Sequence, residues 1–96
     1  MNEEYRRSDR YVYRSIAGED ILISLQRTTV SPMCVLTPSA VLLWERMLEW
    51  VDTKALAAAL MARFEVSTEQ ANADVCEFLE QLAYMRAVES RERSAK

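Results

Sequence analysis

From Met33 to Leu82 the chain runs through fifty residues without a glycine, and one short apolar segment, MCVLT, leads directly into three stretches of helical periodicity. Without glycine the backbone must change direction at caps and prolines, so the positions of those residues set the order of elements. Thr37 can cap a helix through its hydroxyl, and Pro38 has no amide proton to leave unsatisfied at the first helical position. A helix is therefore expected from Pro38, with Val41, Leu42, Trp44, Leu48 and Val51 on one buried side and Met47 beside them. A second helix starts at Asp52 or Thr53, where Leu56, Leu60 and Phe64 step by four and Ala55, Ala57, Ala58 and Ala59 favour helix and close approach. Ser67 and Gln70 have the spacing of a capping box, and Ala71, Val75, Phe78, Leu79 and Leu82 then form the clearest helical stripe in the chain.

Upstream, Tyr11 to Ile16 and Ile21 to Leu25 are β-branched and aromatic runs separated by Ala17, Gly18, Glu19 and Asp20. Gly18 is the only glycine in the sequence, and the pattern reads as a β-hairpin. The polar segment Arg27 to Pro32 reads as a loop that returns Met33 to Leu36 as a third strand. The expected fold is α+β, a three-stranded antiparallel sheet followed by three helices. Residues 11–89 form its one domain, with flexible charged tails at 1–10 and 90–96.

The segment LTPSAVLLW, followed by a helix and then by FEVSTEQANADVCEFLEQL, resembles the PqqD family of small peptide chaperones. Leu36, Thr37, Ser39, Ala40, Leu43, Trp44, Ala71, Asp74, Val75, Phe78, Leu79 and Leu82 carry the likeness, together with the hairpin IAGEDILI. It spans Tyr13 to Glu89, and its weight lies in order and spacing rather than in any one motif. The sequence departs from the family pattern at three places. Thr37 stands where Asn is usual and keeps a capping oxygen; Glu49 and Trp50 replace Asp and Gly; and Arg86 replaces the glycine that commonly closes the last helix.

The resemblance implies a winged helix-turn-helix domain, or RiPP recognition element, that is not itself an enzyme. Such a domain binds the leader of a ribosomally made precursor peptide and presents it to a modifying partner, often a radical SAM enzyme. It also implies that the leader lies between the third strand and the third helix. The residues agree in part, because an outer strand offers amides and carbonyls to an added one. Met33, Cys34, Val35 and Leu36 on the strand, with Ala71, Asp74, Val75, Phe78 and Leu79 on the helix, are the candidate peptide-binding residues. Val75, Phe78 and Leu79 equally fit ordinary core packing, and Asp74 equally fits a solvated helix position.

Composition removes several other functions. With 96 residues the chain has material for one modest core and little more. There is no histidine, which excludes Ser-His-Asp and Cys-His nucleophile systems and the commonest transition-metal ligand. One glycine cannot build a glycine-rich phosphate loop. Cys34 and Cys76 lack the paired spacing of a zinc or redox motif and read as buried free thiols, and no cofactor or metal is expected. No apolar run is long enough to span a bilayer, and MNEEYRRSDR lacks a signal peptide's apolar stretch, so no membrane association and a cytoplasmic location are expected.

Two rival classes follow from the same elements. A DNA-binding winged helix would place its third helix in the major groove, but Phe64 to Met85 holds five acidic residues and no Lys or Arg, so no nucleic acid partner is expected. A structural module or homodimer, pairing two copies through the outer strand or through Trp44 and Trp50, stays open on sequence grounds.

Overall fold

The computed structural model describes residues 3–25 and 33–92. Its element order is β1 (Glu3–Arg7), β2 (Tyr11–Ile16), β3 (Glu19–Ser24), β4 (Met33–Leu36), α1 (Pro38–Arg46), β5 (Val51–Asp52), α2 (Thr53–Arg63), α3 (Thr68–Met85) and β6 (Val88–Glu92). The fold is α+β, with the expected antiparallel sheet β2-β3-β4 and three helices, and with a second sheet in the order β5-β1-β6. The expected loop Arg27 to Pro32 lies outside the described residues.

Each helix starts where a side-chain oxygen replaces a missing backbone acceptor. Thr37 Oγ1 accepts from the Ala40 amide at 3.2 Å, Asp52 Oδ1 from Ala55 at 2.8 Å, and Ser67 Oγ from Gln70 at 3.1 Å. The capping-box side chain is used differently from its pattern, since Gln70 Nε2 donates to Asp74 Oδ1 at 2.8 Å. At the other end of α3, Arg86 takes the left-handed conformation (φ 61, ψ 35) that favours glycine. Its amide donates to Ala83 O at 3.1 Å and that of Ala87 to Leu82 O at 2.8 Å, the paired bonds of a Schellman motif. The Glu49–Trp50 loop turns with no positive φ, so the missing glycine there is not needed.

The hairpin is tighter than the sequence suggests. Only Ala17 (φ 53) and Gly18 (φ 82) lie between β2 and β3, both left-handed, as a type I′ turn requires. Behind the sheet, Leu22, Leu43, Met47, Leu56, Leu60, Val75 and Leu82 are fully buried. Two positions expected on the buried side of α1 fall elsewhere: the helix stops at Arg46, leaving Leu48 exposed and Val51 in β5.

Where the tails are described, at residues 3–10 and 90–92, the second sheet puts strand at 3–7 and 90–92 in place of the expected flexible segments. Glu3–Arg7 is the central strand between β5 and β6, and residues 90–92 belong to β6. The segments EEYRR and VESRE have no hydrophobic alternation of their own. Paired contacts hold them instead. Arg6 and Arg91 each stack on Trp50, 4.6 and 4.3 Å from the ring centroid, and each also reaches a carboxylate, Arg6 to Glu89 at 2.8 Å and Arg91 to Glu4 at 2.9 Å. The sheet is fastened to the core by Arg7, whose amide donates to Met47 O at 2.9 Å and whose guanidinium reaches Trp44 O at 3.1 Å.

Candidate functional site

Hydrogen-bond parity decides which strand groups are available to a partner. In a two-residue hairpin the flanking residues, Ile16 and Glu19, form a hydrogen-bonded pair, and every second pair along the ladder repeats it. The Leu25 amide donating to Arg10 O at 2.8 Å lies on the same alternation. Residues 19, 21 and 23 of β3 therefore bond to β2, while Asp20 and Leu22 bond to β4. Their partners are Leu36 and Cys34. Met33 and Val35 consequently turn their amides and carbonyls away from the sheet. β4 is the outer strand of its sheet, and among the described residues no strand pairs with that side.

The opposite edge is less accessible. By the same parity Tyr13 on β2 points its carbonyl outward, and Arg14 Nη1 donates to it at 2.8 Å, occupying the acceptor. Such charged capping is a common way to blunt an edge. Beside β2 lies a cleft of about 360 Å³ that Arg7, Arg14 and Glu45 help to line.

Along β4 runs a groove of about 380 Å³, bounded by β4, the start of α1 and α3. Its floor is apolar: Leu36, Ala40, Leu43 and Phe78 are all buried yet line it. Its rim is polar, with Thr37 and Ser39 at the start of α1 and Asp74, Glu77 and Gln81 along α3. Positions 74, 77, 78 and 81 share one helix face by their three and four residue spacing. At one end Gln81 Nε2 donates to Cys34 Sγ at 3.2 Å, tying helix to strand. Burial pushes the Cys34 thiol above its ordinary pKa, and the Sγ lies 3.7 Å from Val35 O.

Of the residues expected to contact a peptide, the structure brings Val35, Leu36, Asp74 and Phe78 together on this groove. Met33 and Val35 are 58% and 62% exposed, large apolar side chains on an open edge. Cys34 is half-buried between strand and helix. Ala71, Val75 and Leu79 are in the core and do not line the groove, because they belong to the buried cluster through which α3 packs on α2. Cys76, expected to be buried, is exposed. Glu77 and Gln81 were not anticipated, although their spacing from Asp74 and Phe78 is the available signal. Among the described residues no group of His, Cys, Asp and Glu is placed to hold a metal ion, and no helix is long and apolar enough to cross a membrane.

The site thus combines, in a small α+β domain, an unpaired strand edge and an apolar-floored groove beside it. The profile of the family described as Coenzyme PQQ synthesis protein D (PqqD) matches residues 21–84, and the chain belongs to that family. The same fold is found in a solved structure entitled "TbiB1 in Complex with the TbiA(beta) Leader Peptide", with a TM-score of 0.71 and 24% sequence identity over 88% of this chain and 94% of that one. No curated protein matches the chain significantly.

Proposed function

We propose that this protein is a leader-peptide chaperone. It binds the leader of a ribosomally synthesised precursor by adding it as a strand to β4, and it presents the precursor to a separate modifying enzyme of the radical SAM class. The observation that carries this reading is the outward-facing backbone of Met33 and Val35 beside a groove with a buried apolar floor. Membership of the PqqD family and the shared fold with a protein solved in complex with a leader peptide support it. Backbone pairing supplies affinity that any extended chain can use, and the pockets facing alternate side chains supply selectivity. The role is binding, with the chemistry left to the partner enzyme. α3 carries Glu69, Asp74, Glu77 and Glu80 without a cation, which disfavours a phosphate backbone as the occupant.

A second reading has one observation in its favour: Met33 and Val35 are exposed apolar side chains on an open edge, so two copies could pair through β4. Calorimetric titration with synthetic leader segments from short open reading frames beside the gene, run with sedimentation analysis of the free protein, separates the two. Saturable one-to-one binding to a monomer supports the chaperone. Absence of binding by a protein that dimerises as its concentration rises supports the structural module.

A further inference from the structure

The groove has walls of different character. Its β4 side offers uncharged backbone, and its floor is apolar. Its α3 side presents the carboxylates of Asp74 and Glu77. Among the described residues no Lys or Arg lines the groove, and none occurs anywhere from Thr68 to Met85. Asp74 accepts a hydrogen bond from the neutral Gln70 amide, and the ion pairs of the described residues involve neither Asp74 nor Glu77. Two carboxylates three residues apart on one helix face thus border the groove with no cation from the described residues paired to them.

We infer that the occupant of the groove is a cationic strand, a peptide that places a Lys or Arg side chain against Asp74 and Glu77. This inference rests on the proposed strand addition at β4 and names the class of peptide that the site selects. In an added strand every second side chain faces α3, about 7 Å from the next. Asp74 lies about 6 Å along the helix axis from Phe78, close to that spacing. A basic residue and an apolar residue two positions apart therefore meet the acidic pair and the Phe78 floor together. An anionic strand of the same apolar pattern would set like charges side by side and be rejected. The carboxylates give selectivity more than raw affinity, because their partner stays partly solvated.

The test is selection from a displayed library of random 12-residue peptides on three proteins: the wild type, a D74N/E77Q variant and a V35P variant. The wild type is expected to enrich peptides with Lys or Arg two residues from an apolar side chain. The D74N/E77Q protein should keep the apolar preference and lose the basic one. For one selected peptide, D74N/E77Q should weaken binding about fivefold to tenfold at low salt, less at high salt, with Lys→norleucine in the peptide giving no further loss. Enrichment that V35P abolishes but that shows no basic preference overturns the inference and leaves strand addition standing. Absence of any enrichment sensitive to V35P overturns both.

Discussion

Replacing Val35 by proline tests the geometry of the edge at a single atom. The Val35 amide points away from β3, so the substitution removes no bond of the β3-β4 ladder, and its side chain is 62% exposed, so little core packing is lost. Proline is tolerated on edge strands with the amide side open, and the preceding Cys34 is already extended, as proline demands. The domain should therefore lose no more than about 1 kcal/mol of stability, since surface changes of this kind rarely cost more. Binding should suffer much more. The lost hydrogen bond costs about 1 kcal/mol, and an acceptor left unpaired on the peptide raises the total to about 1.5–3 kcal/mol. That is roughly a 10- to 100-fold rise in Kd. Cys34→Pro is the companion variant, because the Cys34 amide points into the sheet and its loss should break the ladder. Fluorescence anisotropy with a labelled leader segment and a urea melt of each variant give both quantities. A folded V35P protein with wild-type affinity refutes strand addition, and a V35P protein as destabilised as C34P refutes the parity assignment.

Three further outcomes follow from the packing. Arg86→Gly should stabilise the domain by about 0.5–1 kcal/mol in a urea melt, because glycine adopts the left-handed conformation closing α3 without the cost to a Cβ; a loss of stability would contradict this. Trp50→Ala removes both guanidinium stacks and should cost about 1–2 kcal/mol, with faster amide exchange in β1 and β6 than in β2 and β3. Tyrosine absorbance followed to high pH should show late-ionising phenols. The hydrogen bond from Tyr5 to Glu3 and partial burial push Tyr5 from 10.0 up to about 12, and the bond from Tyr13 to Asp20 raises Tyr13. A raised folded-state pKa means that the Tyr5 contribution is complete below pH 10 and lost as pH climbs through about 12, and Tyr5→Phe should remove that late phase.

The elements legible in the sequence are those specified by neighbours in the chain. Thr37, Asp52 and Ser67 act on amides three residues away, and the stripe from Ala71 to Leu82 repeats at helical period, so the starts of all three helices could be read directly. The hairpin was legible for the same reason, through its single glycine. β1 and β6 were not, because EEYRR and VESRE gain their structure from partners far along the chain, such as Glu4 opposite Arg91, and from Trp50 between two arginines. At the site, the strand and α3 were legible as elements. Ala71, Val75, Phe78 and Leu79 form one buried stripe, and periodicity alone does not tell that Phe78 is the member that also borders the groove. For the same reason spacing does not single out Glu77, which borders the groove.

The central claim is that an extended leader adds to β4, and amide NMR of the labelled protein during titration with leader segments tests it most directly. The account predicts shifts concentrated on Met33 to Leu36 and on Asp74 to Leu82, with the Met33 and Val35 amides newly protected from exchange. Shifts confined to the β5-β1-β6 sheet, or no shifts from a protein that self-associates through β4, would contradict it.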